Sequence, residues 1–130
     1  MAMDDMELLR LAAMARVNAY APYSCYHVGA ALVTEGGKVF TGVNVENASF
    51  GASNCAERTA VFKAVSEGER KIVGIAIAGP GADIPHPCGI CRQVLAEFGG
   101  AQTRIVCGNS RGDFEVFTLG ELLPHAFKIR

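Results

Sequence analysis

Two short segments, Cys55-Ala56-Glu57 and Pro87-Cys88-Gly89-Ile90-Cys91, carry the residues of this chain best suited to chemistry. Two thiolates at C-x-x-C spacing can clamp one zinc ion, and a third thiolate leaves one tetrahedral position open. Catalytic zinc sites keep that position for water, whereas structural sites close it with a fourth protein ligand. Cys55, Cys88 and Cys91 are therefore candidate ligands for one zinc per chain, with Glu57 as the proton carrier beside them. Three thiolates around Zn²⁺ leave net negative charge, which makes a weaker Lewis acid than neutral imidazoles would. Arg58, directly after Glu57, is placed to offset that charge by donating to sulfur, and Arg92 is a second candidate.

Each piece also has a plainer reading. Asn54-Cys55-Ala56-Glu57 fits a capping box, with Asn54 as N-cap and Glu57 reaching back. Cys88 and Cys91 alone could form a redox pair, although the strand that usually precedes such a motif is replaced by a Gly/Pro loop. A closed structural zinc site would need a fourth ligand, and His86 is the nearest candidate, with a cramped bite beside Cys88. Otherwise His27, His86 and His125 read as ordinary surface or loop residues. Cys25 and Cys107 match no ligand position, and Cys107, at the end of a strand, reads as buried packing.

The elements that must position these groups follow from periodicity. Met6, Leu9, Ala13, Val17 and Tyr20 recur at three- and four-residue steps, which predicts a helix over residues 5–21, stopped by Pro22. Residues 28–34 and the alternating run from Val39 to Val45 read as a hairpin around Glu35-Gly36-Gly37-Lys38. Period two puts Asn44 and Glu46 on one face at the end of the second strand. A polar loop over 47–54 leads into a helix over 55–67, so the first cysteine sits at a helix N-terminus. A buried strand over 72–78, a loop over 79–87 and a helix over 89–98 place the cysteine pair at a second N-terminus. There the macrodipole favours thiolates. Strands over 103–107 and 114–118 and a short helix around 120–123 complete the chain. The order predicts an α/β fold with a mixed five-stranded sheet and helices on both faces, a three-layer α/β/α sandwich in one domain over 1–130.

The bulk numbers narrow the chemistry. At 130 residues the chain supports one core, and half of its residues are hydrophobic. A net charge of −1 leaves no basic stripe for a nucleic-acid backbone, which favours a small-molecule substrate. No apolar run approaches the ~18 residues a membrane helix requires, and the first ten residues lack a signal-peptide pattern. Five cysteines cannot all pair within one chain, so metal ligation in a reducing cytoplasm explains them better than disulfides.

The cysteine segments match the zinc deaminase signature in its three-cysteine form. Beyond them, Ala21-Pro22-Tyr23-Ser24, Val28-Gly29-Ala30-Ala31, Asn44-Val45-Glu46-Asn47-Ala48 and Glu121-Leu122-Leu123-Pro124 extend the likeness over nearly the whole chain. The sequence resembles the short, homotetrameric cytidine deaminases. That resemblance implies hydrolytic deamination of free cytidine and 2'-deoxycytidine, with Glu57 as proton shuttle at a zinc site. It implies that Asn44 and Glu46 bind the ribose, that Tyr26 and the backbone at Ala56 contact the base, and that Phe127 completes a neighbouring subunit's pocket. Tyr26 stands where that family usually has Phe, and Phe50 where it often has Tyr, which keeps a related aminated heterocycle open as substrate. A deaminase that edits nucleic acid would use the same zinc chemistry, and a non-enzymatic zinc-stabilised module would use the same ligands.

Overall fold

The computed structural model describes residues 3–129; Met1, Ala2 and Arg130, the ends of the expected 1–130 unit, lie outside the described residues. The chain runs α1 (Asp5–Ala15), β1 (Gly29–Thr34), β2 (Val39–Val43), α2 (Ala56–Ser66), β3 (Ile72–Ala78), α3 (Gly89–Phe98), β4 (Arg104–Gly108), β5 (Phe114–Thr118) and α4 (Leu119–Leu122). One sheet has strand order β2-β1-β3-β4-β5. The β3–β4 pair is parallel and the other three pairs are antiparallel, which makes the sheet mixed as expected. A parallel pair needs a crossover, and α3 provides it.

Alternation along β1 and β3 divides the core between the two faces of the sheet. Leu8 and Ala12 of α1 pack with Ala31, Val33, Ala76, Ala78 and Val106 on one face. Ala56, Ala60, Val61 and Ala64 of α2 and Leu95 of α3 pack with Leu32, Ile75, Ile77 and Ile105 on the other. Both small-residue contacts bring helix and sheet backbones close. A Cβ on Gly42 would run into the Ala60 nitrogen and the Ala56 carbonyl, so β2 can lie directly against the first turn of α2 only with glycine there.

Helix α1 is shorter than its periodicity predicts. It closes at Ala15 and tightens into a single 3-10 turn over Arg16–Asn18. The apolar residues that extended the prediction, Val17 and Tyr20, are 84% and 55% exposed. They continue the helical spacing without facing this chain's core. Arg16 instead turns its guanidinium Nε to the His27 carbonyl at 2.8 Å, tying the end of α1 to the approach to β1.

Candidate active site and metal centre

Helices α2 and α3 start at the same place, and the cysteines are why this matters. Cys55 is the N-cap of α2 and Cys88 the N-cap of α3, both in extended backbone and neither using its side chain as a cap. Cys91 lies one turn into α3 and is fully buried. The helix starts leave unpaired N–H groups and two positive dipole ends around the sulfurs. Asn54 is therefore not the cap that the sequence suggests. Its side-chain nitrogen instead donates to Thr59 Oγ1 at 3.1 Å, and the Glu57 carboxyl meets its own backbone N–H rather than reaching back to Asn54.

The three sulfurs lie within 4.8 Å of one another, and Cys55 Sγ is 3.8 Å from Cys88 Sγ. Tetrahedral zinc with Zn–S bonds of about 2.3 Å separates its sulfurs by about 3.8 Å, the spacing of Cys55 and Cys88, and the third sulfur is within reach of the same ion. Electrostatics points the same way. The Cys91 thiol donates to Cys55, with Arg58 and Cys88 adding to the effect, and this holds the Cys55 thiol well below its ordinary value. The same contact, together with burial, drives the Cys91 thiol upward. Thiolates this close oppose a common ionised state, and a divalent cation among them removes that opposition. Among the described residues these three cysteines are the group able to hold a metal.

Arg58 is placed as the sequence suggests. Its Nη2 donates to Cys55 Sγ at 3.3 Å, while its Nε is buried without a partner. Arg92 is not. Its Nε donates to the Pro87 carbonyl at 2.8 Å and its Nη1 to the Leu122 carbonyl at 2.9 Å. It braces the loop before Cys88 against the last residue of α4 and leaves the sulfurs to Arg58.

Beside the triad opens a cleft of about 310 Å³, lined by Tyr26, Val28, Asn44, Cys55, Ala56, Glu57, Ile77, Cys88 and the arm Ile84-Pro85-His86. Glu57 is 5% exposed. Burial above all, with the nearby Cys55 charge adding to it, raises its carboxyl to about 7. A carboxyl near neutrality both accepts and returns protons at working pH. The ring of Tyr26 crosses toward the end of β3. A Cβ on Gly79 would sit 3.1 Å from its hydroxyl oxygen and 3.0 Å from Pro85, so glycine leaves room for the phenol. Burial, then the charge of Asp83, raises the Tyr26 hydroxyl above its ordinary value.

Asn44 and Glu46 flank Val45, which bridges to Tyr20 and Asn54 beyond the end of β2. Asn44 lines the cleft, with its amide spanning the Val28 N–H at 2.9 Å and the Tyr26 carbonyl at 2.7 Å. Glu46 lies outside the lining. Its carboxylate accepts from the backbone N–H groups of Tyr23 and Ser24 at 3.0 and 3.1 Å and from the Ser24 hydroxyl. Phe127 is 72% exposed and outside the lining of its own chain's cleft, next to α3 through a 3.0 Å bond from Gln93 to its carbonyl. Cys107 is fully buried in β4, its thiol pushed to about 12 by that burial. Cys25 is exposed, with the one positive φ outside glycine among the described residues. Val28, Ile77 and the arm Ile84-Pro85-His86 line the cleft without having been assigned to it from sequence. His86, considered there only as a fourth zinc ligand, turns its Nε2 to Glu115 instead. No local pattern announces that contact.

A family model described as the cytidine and deoxycytidylate deaminase zinc-binding region matches residues 2–109. The chain belongs to this family. Among curated deaminases, a cytidine deaminase of Halalkalibacterium halodurans is 51% identical over 96% of this chain and 95% of its own length. A cytidine deaminase of Sporosarcina psychrophila is 45% identical over 96% of this chain and 92% of its own. The crystal structure of cytidine deaminase from Burkholderia pseudomallei superposes with a TM-score of 0.92 at 50% identity, covering 96% of this chain and 100% of that one. The α/β architecture is thus the deaminase fold, and the chain is a zinc-dependent enzyme of the deaminase family.

Proposed function

We propose that this enzyme hydrolyses the C4 amine of free cytidine and 2'-deoxycytidine, giving uridine and 2'-deoxyuridine and releasing ammonia. One juxtaposition carries the reading: a thiol triad that fits zinc and a buried carboxyl near neutrality open onto the same cleft. The cleft volume lies in the range of small-ligand pockets. The relatives with 51% and 45% identity are named cytidine deaminases, which favours cytidine over another aminated heterocycle.

Zinc held by Cys55, Cys88 and Cys91 supplies the Lewis acidity that makes water a nucleophile near neutral pH. Glu57 takes a proton from the attacking water on a carboxylate oxygen and delivers it to N3 of the pyrimidine as oxygen adds to C4. The same carboxyl then carries the second water proton to the amine, which leaves as ammonia while C4 becomes a carbonyl. The Ala56 N–H, unpaired at the first position of α2, is suited to the other pyrimidine carbonyl. Tyr26 and Val28 supply the flat contact for the ring. Asn44 and Glu46 receive the sugar hydroxyls, an amide and a carboxylate being suited to groups that both donate and accept.

The active unit in this reading is a homotetramer, one domain per chain, in which Phe127 of a neighbour finishes the pocket. Large exposed apolar side chains, Phe50 at 80% and Phe127 at 72% among them, support a subunit contact. The substrate is a small nucleoside, with neither nucleic acid nor membrane as partner, and no helix among the described residues is long and apolar enough to cross a membrane. Five free cysteines suit the reducing cytoplasm. An ultraviolet assay of cytidine loss with ammonia detection tests the activity, repeated after chelation and after zinc is restored. Turnover indifferent to the chelator, or none on cytidine with one zinc per chain bound, would overturn the reading.

A further inference from the structure

The arm between β3 and α3 does more than deliver two cysteines. His86 is bound from two sides by β5: its Nε2 lies 3.0 Å from Glu115 Oε1, and its ring meets Phe117 edge-on with centroids 5.6 Å apart at 61°. Its side chain is 44% exposed and that of Glu115 51%, so neither is a core residue whose pairing the fold demands. Yet His86 lines the cleft together with Ile84, Pro85 and Cys88. A polar ring fixed at two points on a separate strand, at the edge of a binding cleft, has the attributes of a wall.

Which part of a ligand meets that wall follows from the chemistry. The reacting carbon C4 has two ring neighbours, N3 and C5. N3 must face Glu57 to receive its proton, so C5 turns away from the start of α2. Asn44, Tyr26 and Val28 line the cleft from the hairpin side, where the sugar is placed. The lining left for the C5 edge is Ile77 with the arm Ile84-Pro85-His86. We propose that His86, held in place by Glu115 and Phe117, determines which substituents at C5 of the pyrimidine the cleft admits. Glu115 is then a positioning residue that acts through the imidazole. The inference rests on the cytidine reading of the cleft.

The test compares the zinc-loaded wild type with His86→Ser, Glu115→Ala and Glu115→Gln. Relative kcat/KM is measured for 5-iodocytidine against cytidine, and relative Kd by calorimetry for 5-iodouridine against uridine. Filling or emptying one side of a pocket changes discrimination by about 10-fold or more, so His86→Ser should shift both ratios by about that factor toward the iodinated ligand. Glu115→Ala should shift them part of the way, through KM more than kcat. Glu115→Gln still accepts from the imidazole and should restore the wild-type ratios. Zinc content is followed in every variant, and His86→Gln replaces His86→Ser if the latter loses metal. Normal turnover of cytidine with both ratios unmoved would overturn the role of His86 and leave the cytidine reading standing. Failure of the wild type on cytidine, with zinc bound, would overturn both.

Discussion

Ser24 grips Glu46 at both carboxylate oxygens, its N–H on Oε1 at 3.1 Å and its hydroxyl on Oε2. Asn44 meanwhile holds the Tyr26 carbonyl and the Val28 N–H. Both residues assigned to the sugar thus also fasten the segment that brings Tyr26 to the cleft. Glu46 has to serve the loop and the ligand together. Ser24→Ala should therefore raise KM for cytidine by about three- to tenfold with a smaller effect on kcat, the scale of one hydrogen bond. Glu46→Ala should weaken cytidine more than a base lacking ribose. Equal losses for the two ligands would assign Glu46 to the loop alone.

The same grip predicts an acid sensitivity. The Ser24 hydroxyl first, and then the Ser24 and Tyr23 backbone N–H groups, lower the Glu46 carboxyl below its ordinary value. A carboxyl lowered in the folded state stabilises fully above its unfolded value, ~4.3, and loses that contribution as pH falls through the folded value. Thermal midpoints of wild type and Glu46→Gln should therefore converge below about pH 4, with the wild type falling more steeply. Parallel curves across the acid range would show that the carboxylate contributes nothing to the fold.

Glu57→Gln separates catalysis from structure, because the amide oxygen of Gln still accepts from the N–H at the start of α2 while the side chain no longer carries a proton. The variant should keep its zinc and melt no lower than wild type above the unfolded carboxyl value of ~4.3, since burial of the charged carboxylate opposes folding there. Its kcat should fall by about 10²- to 10⁴-fold, the range for losing a positioned general acid–base. Turnover within a few-fold of wild type would remove Glu57 from the mechanism.

At the metal, Cys88→Ala should lose zinc and activity together, and full zinc occupancy in that variant would sink the ligand assignment. Arg58 offers a graded perturbation. Its guanidinium donates to Cys55 Sγ and its raised pKa comes first from that contact. Arg58→Gln should retain the metal while weakening its affinity by about 10- to 100-fold, measured by competition with a chelator. Unchanged affinity would mean that the helix N-termini alone balance the thiolates.

How far the site was readable from sequence depended on how local each signal is. The spans of β3, α3 and β5 match their expected ranges because apolar patterning and flanking Gly or Pro mark them within a few residues. The zinc triad was legible for the same reason, since each half sits on one helix start. Val17 misled because spacing cannot tell a side chain facing the core from one facing outward. Asn54 misled because a cap depends on backbone angles, and Cys55 holds the extended conformation that the N-cap needs. The sequence offered His86 only as a fourth zinc ligand; its pairing was not legible because Glu115, which secures it, is 29 residues away and meets it only once β5 has joined the sheet.

Tyr23 and Phe50 meet edge-on at 6.4 Å between ring centroids, yet Phe50 stays 80% exposed on the loop that leads to Cys55. Phe127 is 72% exposed on the C-terminal segment, and neither ring lines its own chain's cleft. Small-ligand pockets bury most of their ligand, and a chain this short commits most of its residues to sheet and helices. A neighbouring subunit can supply the missing wall from these rings. Light scattering should accordingly give a mass about four times that of one chain, as closed symmetric assemblies of this kind do. Deleting residues from His125 onward should damage activity while leaving zinc in place, because no cysteine ligand lies in that segment. Mixing the truncated chain with Glu57→Gln provides the sharper test. The truncated chain keeps Glu57 and lacks the aromatic donor, whereas the other keeps the donor and lacks the acid–base group. Pockets formed between them would hold both, so the mixture should recover part of the activity that neither has alone. A fully active monomer at assay concentration, or a mixture no more active than its parts, would refute the shared pocket.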